Sequence, residues 1–159
     1  MKIISKEIIV DATPGQLWQT WTTSEGLTSF FAPKARIELK LFGPFELFFL
    51  PGNPVGEQGS EGCMVLSFIP NQMLSFTWNS PPHLPLARKE YTIVVVQFFS
   101  VNPGKTKVVL TNHGYKVGAE FDLSFQYFEK AWDQVLQNLQ KKYSKKKGKI
   151  SETTDAVKS

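Results

Sequence analysis

The stretch from Phe121 to Tyr143 constrains this chain more than any other. Phe121, Phe125, Phe128, Trp132, Val135, Leu136, Leu139 and Tyr143 recur at steps of three and four, which is the helical period. Gln126, Glu129, Lys130, Asp133, Gln137 and Lys141 fall on the opposite face and suit water. No Pro or Gly interrupts the stretch. Asp122 and Ser124 offer start signals at its positive end, and Lys141, Lys142 and Lys145 suit its negative end. Large aromatics gathered on one stripe need a broad apolar partner. Each stabilises by about 1.5–3 kcal/mol only when something covers it. What precedes the helix reads mostly as strand, so that partner is expected to be a sheet.

Residues 2–10 are rich in β-branched side chains and read as a strand. Thr13 is a candidate N-cap with Pro14 in the first turn, followed by a short helix carrying Leu17, Trp18 and Trp21 on one face. A second short helix or turn opens at Ser24 and ends near Phe31 to Pro33. Ala35 to Leu41 alternates as a half-buried strand, Gly43-Pro44 turns, and Phe45 to Leu50 returns with Phe45, Leu47 and Phe49 on one side. Residues 51–62 read as an exposed loop. Strands are expected at Cys63 to Ile69, Leu74 to Trp78, Tyr91 to Val101 and Thr106 to Asn112, with a hairpin turn at Asn102-Pro103-Gly104. Ser80 to Leu86 reads as a second open loop.

Short connections argue for antiparallel pairing. The expected fold is therefore α+β: a curved antiparallel sheet of about six to seven strands, two short helices, and a long C-terminal helix packed across it. Residues 1–143 form the expected single domain. Residues 144–159 are nearly devoid of apolar side chains and read as a basic, mobile tail.

The net charge of +4 belongs to the end of the chain. Residues 141–159 hold seven Lys and two acids, leaving eleven basic and twelve acidic side chains in the other 140 residues. A nucleic-acid partner would need a basic face on the folded part, so none is expected. The Lys-rich run reads as solvated, with weak contact to acidic surfaces as the alternative. No apolar run reaches the 18–20 or so residues of a membrane helix, and Lys2, Lys6 and Glu7 break up the start as a signal sequence. Cys63 is the sole cysteine, which excludes an internal disulfide and fits a reducing, cytoplasmic setting.

Several segments together resemble a known family. Leu17-Trp18, Trp21-Thr22, Glu25-Gly26-Leu27 and Phe30 to Pro33 are similar to the opening of the Aha-type domains. These are relatives of the activator of the 90-kDa heat-shock protein ATPase, within the SRPBCC, START-like helix-grip superfamily. Gly43-Pro44-Phe45 resembles the family's hairpin, and Gly62, Val65, Pro70 and Leu74 to Trp78 resemble its central strands. Thr106 to Gly114 resembles its last strand, and Trp132 to Leu139 its closing helix. The resemblance spans about Ile3 to Tyr143. It departs at Pro44, where the family usually has Gly, at Phe30, where it has Trp, and at Ala131, where it has Gly.

The resemblance implies a helix-grip fold with an apolar cavity between sheet and helix. Trp21, Phe30, Phe31, Phe45, Phe49, Trp78, Val94, Val96, Phe98, Phe125, Phe128 and Trp132 are the candidate ligand-binding residues. For each one, plain core packing is the simpler reading. His113, Tyr115 and Tyr91 are the candidates for acid–base work, but no orienting carboxylate is evident. His83 reads as solvated. Cys63 reads as a small core filler, and two His with one Cys give no metal-ligand spacing. No phosphate loop or nucleophile elbow is present. The leading expectation is a non-enzymatic domain binding a small hydrophobic ligand, lipid-like or aromatic, with no cofactor. The resemblance offers a chaperone ATPase as an alternative partner, and a cyclase-like enzyme as the weakest reading.

Overall fold

The computed structural model describes the backbone of residues 1–158 and the side chains of residues 1–144. In order, the elements are β1 (Ile4–Val10), α1 (Pro14–Thr22), α2 (Ser24–Thr28), β2 (Lys34–Ile37), β3 (Phe45–Phe48), β4 (Val65–Ile69), β5 (Met73–Trp78), α3 (Pro85–Arg88), β6 (Thr92–Asn102), β7 (Lys105–His113) and α4 (Ala119–Lys158). The expected tail, 144–159, has all but its first side chain outside the described residues.

The seven strands fall into two sheets, not one. Five pair antiparallel in the order β1-β7-β6-β5-β4, and β2 pairs with β3 alone. Isolated bridges, Pro44 to Met64 and Phe48 to Gly59, tie the small sheet to its surroundings. The helix α4 crosses the inner face of the large sheet. Lys6 of β1 reaches Glu129 at 3.1 Å and Asp133 at 3.2 Å, and the Gln140 amide donates to Ile9 O at 3.0 Å. Further along, Tyr143 and Thr20 of α1 share a buried hydroxyl contact of 2.6 Å.

Period-two burial sets the sheet's sidedness. Val94, Val96, Val108 and Leu110 are fully buried beneath the helices, together with Ile4 and Leu74. Helix α1 begins as its sequence suggests: Thr13 accepts from Gln16 N at 3.1 Å, and Thr13 N donates to Gln16 Oε1 at 2.8 Å. Helix α4 begins at Ala119, which puts Asp122 in its first turn at the positive end, while Ser124 lies beyond that turn. The chain turns at Gly118, and Ser124 is buried inside the helix against Ser80 at 2.7 Å.

Three further expectations are corrected. The alternating stretch 35–41 is strand only to Ile37, and Leu41 is 63% exposed. The chain turns back early, with Phe42 at φ 60° and Gly43 N donating to Lys40 O at 2.9 Å. A side chain at Gly43 would collide with the carbonyl of Glu38. The second open loop runs into α3, which starts at Pro85 and has its free N–H groups, Leu86 N and Ala87 N, bound to the Glu120 carboxylate at 2.9 and 3.1 Å. The loop 51–62 is not wholly exposed: Ser60 is fully buried and exchanges hydrogen bonds with the backbone of Leu47.

Candidate functional site

Where α4 meets β5, five aromatic rings converge around unfilled space. The cavity, of about 90 Å³, is walled by Phe31, Phe49, Trp78, Phe128 and Trp132, with Tyr127, Ala131 and Val135 of α4 closing it. Trp78 and Trp132 lie 5.1 Å apart between ring centres, and Phe31 stands 5.8 Å from Trp78 and 5.7 Å from Trp132. These rings meet mostly at tilted or edge-on angles, which leave corners that no side chain fills. A second cavity of about 90 Å³ lies on the other side of a shared wall formed by Phe49, Trp78, Tyr127 and Phe128. Its remaining lining is more polar, with Gln58, Asn79, Ser80 and Arg88 among loop residues.

Two loops frame this second lobe, and one ion pair holds both. Arg88 donates to Ser80 O at 2.6 Å and to Gly56 O and Gly59 O at 2.7 Å, and it pairs with Glu61 at 3.3 Å. The Glu61 carboxylate also accepts from Gly56 N, from Gln58 N at 2.9 Å and from Gly59 N at 2.7 Å. The side chains are 14% and 17% exposed, so water screens the pair little. At Gly59 the backbone passes so close to Leu47 O that any side chain would clash.

Beneath the cavity the polar end of Trp132 is anchored. Its indole N–H donates to Asn112 Oδ1 at 3.2 Å, and Tyr115 donates to the same oxygen at 2.6 Å. The Asn112 amide donates in turn to Thr92 Oγ1 at 2.9 Å and to Ile93 O at 3.1 Å. Trp21 and Trp78 differ: their buried indole nitrogens have no hydrogen-bond partner among the described residues.

Residues 11–143 match the family described as "Activator of Hsp90 ATPase homolog 1-like protein". The chain belongs to that family. Solved structures bear out the fold. A protein from Mesorhizobium loti, MLL2253, superposes with a TM-score of 0.72 at 18% identity, covering 91% of this chain and 98% of that one. The Aha1 dimer from Colwellia psychrerythraea superposes with a TM-score of 0.60 at 18% identity, covering 90% and 96%. A Bacillus halodurans protein, BH1534, gives 0.64 at 20% identity over 90% and 97%. No curated protein sequence matches.

Within this Hsp90-activator-like fold, the twelve candidate residues divide. Phe31, Phe49, Trp78, Phe128 and Trp132 come together at the cavity. Trp21 and Phe30 stand one layer behind, packed on each other at 5.1 Å and on Phe31 at 5.8 and 5.5 Å. Phe45 stacks on Phe76 at 3.9 Å. Val94, Val96 and Phe98 are core, Phe98 packing edge-on to Trp18 at 6.4 Å. Phe125 turns aside to Tyr115 at 5.2 Å and lines a broad trough on the outer side of α4 with His83, Leu123 and Lys130. That trough is an open depression whose extent is set by solvent.

Three lining residues escaped the sequence stripe: Tyr127, Ala131 and, as a cavity residue, Val135. They form their own i, i+4 row beside Phe128 and Trp132, and that spacing was the available signal. Ala131, one of the positions departing from the family pattern, sets the cavity's size directly. His113 lies on the sheet's outer face, since its neighbour Asn112 points inward. Tyr115 spends its hydroxyl on Asn112, and burial raises its pKa above the usual phenol range. Burial likewise pushes the Cys63 thiol up to about 12, against the opposing hydrogen bond with Thr77. Among the described residues, no helix is long and apolar enough to cross a membrane.

Proposed function

We propose that this Hsp90-activator-like domain binds a small hydrophobic, ring-containing molecule in the paired cavities between sheet and α4. The observation that carries the reading is the convergence of Phe31, Phe49, Trp78, Phe128 and Trp132 on space that none of them fills. Protein interiors rarely leave such space, since each missing contact forfeits dispersion energy. The two lobes together are on the scale of the roughly 150 Å³ apolar cavity known to accept a benzene ring. Phe49 and Tyr127 line both lobes and are 37% and 47% exposed, so they can yield to an incoming ligand. The binding step uses no chemistry: its driving force is apolar surface removed from water at a preformed wall. Amide and indole resonances of Trp78, Phe128 and Trp132 should move when single-ring and lipid-like compounds are titrated. A broad panel that leaves them unmoved overturns the reading.

A second reading follows from the family and from the outer face of the large sheet, where Ile9 and Phe99 are exposed and the central Ile93, Val95 and Val109 are only partly buried. Such a face suits a protein partner, and the family name points to a chaperone ATPase. An ATPase rate unchanged at saturating protein excludes this role.

A further inference from the structure

Resting on the ligand-binding reading above, we infer that the bound molecule carries an uncharged hydroxyl, and that the outer lobe excludes carboxylates although an arginine stands in its wall. Arg88 is the only cationic side chain lining the lobe among the described residues. Its guanidinium is already spent on three backbone carbonyls and on Glu61. An anion entering here would have to compete with that set and would meet the Glu61 charge behind it. A fatty acid or aromatic acid would therefore lose its hydration without gaining a partner.

Asn79 and Ser80, two little-exposed neutral side chains of the lobe, keep unused hydrogen-bonding capacity. Asn79 is 7% exposed and directs both hydrogen bonds of its amide nitrogen to the carbonyls of Gly59 and Glu61, at 3.3 Å each. These two bonds fix the amide's orientation, and Asn79 Oδ1 accepts from no described group. Ser80 Oγ lies 2.7 Å from Ser124 Oγ, so one of the two hydroxyl protons joins the pair. The other has no acceptor among the described residues. Asn79 thus offers an acceptor and the serine pair a donor at the polar end of a lobe whose other wall is aromatic. A hydroxyl, which donates and accepts, matches both. A carboxylate would oppose the Asn79 oxygen with charge.

The test uses three single-ring probes of similar size on the unaltered protein: p-cresol, p-xylene and benzoate. We expect p-cresol to bind about three- to tenfold more tightly than p-xylene, the range of one net hydrogen bond, and benzoate at least about tenfold more weakly than p-cresol. The Asn79 side-chain amide should shift with p-cresol and much less with p-xylene. In Asn79→Leu, the advantage of p-cresol over p-xylene should disappear while p-xylene binding persists. Benzoate binding as well as p-cresol, or p-xylene equalling p-cresol in the unaltered protein, overturns the inference and leaves the cavity reading standing. If none of the three binds, both fall. Should Asn79→Leu not fold, the ranking of the three probes on the parent protein decides alone.

Discussion

The indole N–H of Trp132 donates to Oδ1 of Asn112 at 3.2 Å, joining the long helix to the sheet through a bond buried at both ends. Asn112 is fully buried at the inner face of β7, where an apolar residue would be the rule. All four of its described hydrogen bonds are made inside the protein. Trp132 can therefore present its rings to the cavity while its one polar atom is satisfied elsewhere.

Replacing Trp132 by Ala should cost about 3–5 kcal/mol, the range for deleting a large buried aromatic. Replacing it by Phe should cost less, since Asn112 Oδ1 keeps the Tyr115 bond. In Trp132→Ala an apolar ligand should recover part of the loss by binding only the folded state. Thermal melts with and without p-xylene check this. An alanine variant as stable as the parent would mean that α4 is not gripped through Trp132.

Asn112→Leu fills similar volume but leaves Trp132 Nε1 and Tyr115 Oη without their described partner, and takes one bond each from Ile93 O and from Thr92 Oγ1, which still donates to Trp78 O. The expected loss exceeds about 2 kcal/mol, because buried groups left without partners each cost about 1–3 kcal/mol. Urea unfolding measures it, and a neutral result would show that the network is dispensable.

Glu61 and Arg88 should behave as one unit. Removing either partner of this little-exposed pair should cost about 3 kcal/mol, since the other is left with its charge uncompensated. The double variant Glu61→Ala/Arg88→Ala should lose clearly less than the sum of the singles. Additive losses in a double-mutant cycle would argue that each acts through its backbone contacts alone.

Ala131 gives a direct handle on the cavity. Ala131→Leu places three more carbons against Phe31, Trp78 and Trp132 and should abolish binding of single-ring compounds. Its effect on stability should stay within about 1–3 kcal/mol in either direction, depending on how well the added atoms fit. Unchanged ligand affinity would place the ligand elsewhere.

Stability should fall from about pH 9 upward because of Cys63. The thiol titrates near 9 in an unfolded chain and near 12 in the fold, so above pH 9 the folded state holds a proton that the unfolded state releases. The loss accumulates at up to about 1.4 kcal/mol per pH unit. Burial also raises Tyr91 and Tyr115, but phenols begin to contribute only near pH 10. Denaturant melts between pH 8 and 10 should therefore show a steeper decline for the parent than for Cys63→Ala. Parallel slopes would mean that the thiol ionises in place.

The sequence by itself determined most of the elements and their inward faces, though not α3 or the end of β2. A helical stripe such as Phe128, Trp132, Leu136 and Leu139, and a strand such as Leu74, Phe76 and Trp78, declare their buried sides through periods of about 3.6 and 2, because solvent exposure is decided locally. Capping at Thr13 was legible for the same reason: its partner is three residues away. Only the tertiary structure decided which buried rings enclose space and which fill it. Phe31 and Phe45 look alike in sequence, yet one walls the cavity and the other stacks on Phe76. That difference depends on contacts between residues distant in sequence, as do the pairing of Trp132 with Asn112, 20 residues apart, and of Arg88 with Glu61, 27 apart. Separation in sequence carries no information about such meetings. They arise from how twisted layers pack, and packing left its gap where α4, β5 and two loops fail to close on one another.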